Sequence, residues 1–262
     1  LGLLYDMHWP HRQYATSRNV RLSPLDQTTS QLGAVMGELA GWERPNWYAE
    51  NEPAEYQYTY GKPNWFEACQ RECDAIAKHV ALFDQSSYTI FHVAGPQALS
   101  CMQHICANNV DVAIGKIVYT QWLNADGGIE ADVTVTRLAS DRFMIVSACV
   151  SERRDWFWLR KHSARFDCAI SQDEGTAIIG VMGPKSSQLL KTICDQTERV
   201  ERLGYYESEL LCAGALEFRA NRLSYVGELG YELYVRSQDA QTLWQRLWQA
   251  GAPLNIRAAG FH

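Results

Sequence analysis

The chain has 262 residues, 47% of them hydrophobic, and a formal net charge of −6. That is enough apolar material for one large core or two smaller ones, and the acidic balance argues against a nucleic-acid or anionic-membrane surface. No apolar run approaches the ~20 residues of a membrane span, and no signal-peptide pattern opens the chain.

In chain order, residues 1–21 are polar, aromatic and basic without a period, and read as a connecting arm that packs on a neighbouring domain. The first residue is Leu1 rather than methionine, and no terminating signal precedes His262, so a longer parent polypeptide is expected. Ser23-Pro24 suits the cap of a helix over Asp26–Leu32, and Gly33, Gly37 and Gly41 then break the segment. Residues 49–64 are turn-rich and read as an exposed loop. From Phe66 to Val80 the apolar positions Phe66, Cys69, Cys73, Ile76, Ala77 and Val80 have helical spacing. An internal echo follows: residues 90–105 and 178–193 each read as strand, Gly-Pro, helix. Proline suits the first helical position, and the echo implies two related α+β units sharing a core. The basic run Arg153, Arg154, Arg160, Lys161, His162 and Arg165, with Trp156 and Trp158, reads as a solvated helix face. A strand over Leu216–Val226, a turn at Gly227–Gly230, a strand over Tyr231–Val235 and a helix over Ala240–Gly251 complete the chain. The last carries Leu243, Trp244, Leu247 and Trp248 on one face, a core-packing stripe.

Between the echoes, residues 115–137 read as a β-hairpin. β-Branched and aromatic residues fill Ile117–Leu123 and Ile129–Thr136 around Asn124, Asp126, Gly127 and Gly128. On the second arm Ile129, Ala131, Val133 and Val135 point one way, and Glu130, Asp132, Thr134 and Thr136 the other. Aspartate is depleted from strands because its short carboxylate competes for backbone hydrogen bonds. Asp132 is therefore either a solvent-facing acid on an edge or a residue kept for chemistry.

Nucleotide-loop, zinc-protease and nucleophile-elbow motifs are missing. The eight cysteines form no CxxC pair and no zinc-like spacing with histidine. Several sit in apolar runs, as Cys149 does, so buried reduced thiols, no metal and a cytoplasmic or mitochondrial-matrix location are expected. What remains is acids and tyrosines flanking glycines: Tyr119, Asp132, Tyr225, Glu228 and Glu232. Carboxylates in a cleft suit a ligand that offers a donor pair, and tyrosine adds an aromatic face with a hydroxyl. A charged turn with core tyrosines is the plainer alternative.

Ser23-Pro-Leu25, Gly33-Ala-Val-Met36, Gly41-Trp-Glu43, Phe83-Asp-Gln-Ser86, Gly95-Pro96, Gly115-Lys-Ile-Val-Tyr-Thr120, Gly127-Gly-Ile129 with Asp132, Val181-Met-Gly-Pro184 and Tyr225-Val-Gly-Glu-Leu-Gly-Tyr-Glu232 form an ordered series. That series resembles the aminomethyltransferase (glycine-cleavage T-protein) family over residues 23–262. The wording of residues 41–47 and 108–116 looks most like the C-terminal, folate-binding half of dimethylglycine and sarcosine dehydrogenases, and the arm resembles the join to their flavin half. The resemblance implies an α+β, T-protein-like fold of mixed and antiparallel sheets with flanking helices in a multi-lobed arrangement, over residues 22–262 and without its final lobe.

It also implies a tetrahydrofolate site in which Asp132 matches the catalytic aspartate, Tyr119 and Tyr225 match pocket tyrosines, and Glu232 matches the acid that holds the pterin. FAD is expected only in a preceding domain of the parent, and the other partner is a small N-methyl amine or its iminium. The implied activity is capture of the iminium carbon as 5,10-methylenetetrahydrofolate; oxidation is beyond this fragment. Three departures stand out. Ala131-Asp132 replaces the family's pair of aspartates, Val146–Cys149 has no counterpart of its pterin-side asparagine, and the last lobe is absent. Another folate-dependent aminomethyl or methyl transferase, or a non-catalytic regulatory member of the family, are the alternatives.

Overall fold

The computed structural model describes residues 13–14 and 16–262. Most of the expected arm, residues 1–12 and 15, lies outside the described residues. Its described end packs on the chain's own first hairpin. The Arg18 guanidinium donates to the buried Glu43 carboxylate at 2.8 Å from Nε, and Arg21 pairs with Trp42 in a parallel bridge.

Helix α1 (Asp26–Gln31) precedes the antiparallel pair β1 (Ala34–Leu39) and β2 (Trp42–Tyr48). The Ser23 hydroxyl accepts the Leu25 N–H at 3.0 Å, so it ties the turn before the helix rather than the helix itself. The glycine-broken segment is in fact this hairpin. Gly33 and Gly41 bracket β1 with φ of +88° and +84°, a backbone conformation that favours glycine.

Helix α2 (Phe66–Lys78) stops short of Val80, which opens β3 (Val80–Asp84); β4 (Thr89–Ala94) and α3 (Ala98–Ile105) follow. Then come β5 (Ile117–Leu123), β6 (Ile129–Ala139), β7 (Arg142–Ser147), α4 (Glu152–Ser163) and β8 (Ala169–Asp173). The second passage is β9 (Thr176–Met182), α5 (Ser186–Ile193), α6 (Thr197–Arg202), β10 (Glu207–Ala213), β11 (Leu216–Arg222), β12 (Gly230–Arg236), α7 (Ser237–Gly251) and β13 (Ile256–Ala258). Among the described residues these strands make a five-stranded sheet, β5-β6-β7-β4-β8, and a six-stranded sheet, β10-β11-β12-β9-β3-β13. Among these described strands only the β13–β3 pair is parallel.

Both echoed segments form strand, turn and helix. The proline sits two residues before the first helical position expected for it, in the turn. Ala98 N–H bonds Gly95 O and Ser186 N–H bonds Gly183 O, each at 3.0 Å, which leaves Pro96 and Pro184 at the second turn position that proline favours. The two units do not share one core. Phe91, Val93, Trp122, Val133 and Phe143 pack under α3 and α4. Ile179, Val181 and Leu233 pack against Leu189 and Leu190 of α5 and Leu243 and Trp244 of α7. Because side chains alternate along a strand, the other faces turn toward each other and meet through Ile90, Met144, Ile178 and Tyr234. The result is four layers, helices outside and two sheets within.

Along β12 this buries both faces: Tyr231, Leu233 and Val235 belong to the helix-side core, while Tyr234 belongs to the inter-sheet cluster. At the outer strands the sheets are joined by backbone bonds, Ile117 N–H to Tyr206 O at 2.9 Å and Ser208 N–H to Gly115 O at 2.7 Å. Strand β10, whose residues mix charge and hydrophobe without a clean alternation, went unread in the sequence. The strand expected over Leu216–Val226 ends at Arg222, so Tyr225 stands on a loop.

Candidate functional site

The β5–β6 hairpin supplies one wall. Its register sets Tyr119 opposite Thr134 and Gln121 opposite Asp132, which places Tyr119 and Asp132 on the same face. The Tyr119 hydroxyl donates to Asp132 Oδ2 at 2.6 Å. Asn124 builds the turn, its Oδ1 accepting the Gly128 N–H at 2.8 Å and its Nδ2 donating to Glu130 at 3.0 Å. A bulge skips Glu130 in the pairing, Trp122 facing Ala131 and Leu123 facing Ile129, so Glu130 serves the turn. The same bulge turns Ile129 out to solvent, against the expected alternation, at 68% exposure. Asp132 is exposed, but β6 is an inner strand covered by β5, so it is no edge residue.

The other wall comes from β12 and the loop before it. Glu232 is 8% exposed, whereas Tyr119 and Tyr225 are 46% and 47% exposed. Tyr234, two residues along the same face, donates its hydroxyl to Glu232 Oε2 at 2.5 Å. The Tyr225 ring stands edge-on to Tyr88, Phe83 and Phe261 at centroid distances of 6.3, 6.4 and 5.9 Å.

Tyr119, Asp132, Tyr225 and Glu232 all line one cavity of about 530 Å³. Glu228 does not line it and stays exposed on its turn. Sequence reasoning missed Tyr88 and Tyr206, which line the same space, as do Ser147 and Ala148 of the segment noted for its lack of an asparagine. Tyr88 lies two residues beyond the Phe83–Ser86 motif, a signal that could have found it. Tyr206 had none, since it arrives through the contact of β5 with the segment before β10. A second cleft of about 460 Å³ has no aromatic wall, and its Lys116–Glu207 pair is closed at 2.5 Å.

Burial pushes the Glu232 carboxyl up to about 7, against the pull of the Tyr234 hydroxyl, which favours the ionised form. The Tyr119 hydroxyl titrates above its ordinary value, first because of its bond to Asp132. The cavity thus pairs a buried acid of raised pKa on one sheet with a hydrogen-bonded, exposed acid on the other, between aromatic walls. It can accept a donor pair at one end and serve proton transfer or a developing positive charge at the other.

Among the described residues no group of three His, Cys, Asp or Glu side chains is placed to hold a metal. Nor is any described helix long and apolar enough to cross a membrane. The eight cysteines are free; Cys101, Cys106, Cys149 and Cys194 are buried, Cys69, Cys168 and Cys212 are half-buried, and Cys73 is exposed.

A family model described as the GCVT N-terminal domain matches residues 25–262. The chain is 41% identical over 268 residues to 4-methylaminobutanoate oxidase (formaldehyde-forming) of Paenarthrobacter nicotinovorans, a match that takes in 100% of this chain and 32% of that protein. It is 28% identical over 298 residues to mitochondrial sarcosine dehydrogenase of Homo sapiens, covering 98% of this chain and 32% of that one. The chain thus spans about a third of the length of these two relatives. The crystal structure of glycine cleavage system aminomethyltransferase T from Bartonella henselae superposes with a TM-score of 0.76 at 23% identity, over 92% of this chain and 60% of that one, so the fold is shared. With that fold and a family match over nearly its whole length, the chain belongs to the aminomethyltransferase (glycine-cleavage T-protein) family, through its GCVT N-terminal domain.

Proposed function

We propose that the cavity binds tetrahydrofolate and that the chain is the one-carbon-transferring part of a dimethylglycine/sarcosine-type dehydrogenase. The observation that carries this is the single cavity onto which Asp132, held by Tyr119, and the buried Glu232 converge from two different sheets. A pterin fits that lining. It is a flat heterocycle with adjacent N–H donors, and Glu232 offers a carboxylate while Tyr88 and Tyr225 offer aromatic faces.

When bound, tetrahydrofolate supplies the amine nitrogens that take up one carbon. Glu232 orients the heterocycle by accepting its donor pair. Asp132 would be the catalytic residue: its carboxylate would stabilise a cationic iminium carbon donor and hold the proton given up by the folate amine. The Tyr119 hydroxyl fixes one Asp132 oxygen and leaves the other for the reacting atoms. Oxidation of the N-methyl substrate belongs to a flavin domain elsewhere in a longer protein; both relatives named above are about three times this length.

A second reading keeps the site and changes its outcome. The relative at 41% identity is named as formaldehyde-forming, which on this chain would mean release of the carbon rather than capture. The folate reading is tested by calorimetric titration with 5-formyltetrahydrofolate. Binding is expected in wild type. In Glu232→Gln it should weaken about ten- to hundredfold, the worth of hydrogen bonds to a charged acceptor. Equal affinities would take Glu232 out of the site.

A further inference from the structure

We propose that Tyr234 is a positioning residue for Glu232: it grips one carboxylate oxygen from the closed inter-sheet side, so that the carboxylate faces the cavity with its acceptor pair set for the ligand. The proposal rests on the folate reading for its consequence, but not for its geometry.

Tyr234 and Glu232 are i and i−2 on β12, hence on one face. The Tyr234 ring is wedged among Ile90, Met144 and Ile178 and is 5% exposed. A ring locked by both sheets gives its hydroxyl one place to point, and that place is Glu232 Oε2 at 2.5 Å. The hydroxyl in turn interacts with the Asn221 side chain. Asn221 is fully buried, pairs with Glu232 in the β11–β12 register, and donates from Nδ2 to Thr136 Oγ1 at 3.4 Å. Thr136 lies on β6, four residues beyond Asp132. A line of hydrogen bonds therefore runs from the strand of the catalytic acid, through Asn221 and Tyr234, to the ligand-holding acid. Its effect is pre-organisation: a glutamate has three side-chain torsions to freeze, and here the fold has frozen them before the ligand arrives.

The hydroxyl also bears on the charge of the acid. Burial disfavours the carboxylate, and the Tyr234 bond opposes it. The other titratable groups around Glu232 are Tyr88, Tyr225, Tyr206, Tyr119 and, across the cavity, Asp132. None of them is a cation, so Tyr234 is the group that keeps Glu232 ionisable near neutrality.

The test is the titration of Glu232 itself, followed by carbon NMR with carboxyl-labelled glutamate. The Glu232 resonance is assigned by its loss in Glu232→Gln. In Tyr234→Phe the midpoint should rise by about one to two pH units, the worth of one hydrogen bond to a charged group. The pH at which 5-formyltetrahydrofolate affinity is half lost should rise with it. Substituting 3-fluorotyrosine at 234, which keeps the packing and strengthens the donor, should move the midpoint down; this variant carries the test if Tyr234→Phe does not fold. A tyrosine that is only core packing would alter the melting temperature and leave the midpoint where it was. An unmoved midpoint in either variant overturns the proposal. If wild type fails to bind 5-formyltetrahydrofolate, the folate reading falls, and the titration alone still decides whether Tyr234 governs Glu232.

Discussion

Replacing Asp132 with alanine in the full-length protein should uncouple substrate oxidation from carbon capture. The size of the effect depends on whether another acid can stand in, and none is placed to do so. Glu130 sits on the bulge, unpaired in the ladder, and its carboxylate is occupied by Asn124 at 3.0 Å. Glu232 sits on the opposite sheet, buried, bound to Tyr234 and titrating only at about 7. The substitution also strands the Tyr119 hydroxyl, which has solvent to turn to at 46% exposure, so folding should survive. Loss of one positioned proton-transfer group costs on the order of a hundred- to ten-thousandfold in rate, about 3–5 kcal/mol of barrier. Oxidation in a separate domain should continue nearly unchanged. The assay measures formaldehyde and 5,10-methylenetetrahydrofolate per substrate oxidised, with saturating tetrahydrofolate. Wild type should give mostly the folate product and Asp132→Ala mostly formaldehyde, with 5-formyltetrahydrofolate still bound. Equal product ratios would refute the reasoning and leave Asp132 a strand residue. Formaldehyde as the main product of both proteins would favour the release reading.

Tyr119→Phe should keep ligand affinity within a few-fold and slow transfer by about tenfold, because only the orientation of Asp132 is lost; single-turnover kinetics would expose the error if transfer were unimpaired. Glu72 accepts the Tyr48 N–H at 2.7 Å on one oxygen and the Gly260 N–H at 2.9 Å on the other, which staples the C-terminal segment to β2. Glu72→Gln must turn an amide N–H toward one of those donors and should cost about 1–3 kcal/mol in urea unfolding; an unshifted midpoint would mean the staple carries no stability. Stability should also depend on pH with a definite sign. Burial lifts Glu72 and Glu232 from 4.5 to about 7, so the folded chain holds protons that the unfolded chain releases. Their share of stability is full below about 4.5 and is lost as pH rises through 7. Asp173, bonded by His92 and pulled from 3.8 to about 2, acts oppositely, its share being lost as pH falls toward 2. The melting temperature should therefore rise from pH 8 to about pH 5 and fall below about pH 3.5; a monotonic climb toward alkaline pH would contradict the two raised acids.

Local rules sufficed for the elements whose pattern is short-range. The limits of β5, the turn at Asn124–Gly128, the Gly-Pro corners and the stripe on α7 follow from propensity, alternation and helical spacing, all of which are written within a few residues. The ordered motifs carried the family and with it the fold. Which face of a strand meets which partner is a different kind of information, because sheet neighbours are distant in sequence. Period-two alternation says that Asp132 and Thr134 share a face, but the Tyr119 register depends on a bulge at Glu130 that no propensity announces. The separation into two cores, the strand β10 and the arrival of Tyr88, Tyr206 and Ser147 at the cavity follow from two sheets packing face to face. So does the charge state of Glu232. As a residue in a sequence it is an ordinary acid; its carboxyl is pushed up to about 7 because the second sheet takes water away from it, and Tyr234 gives back one hydrogen bond against that rise.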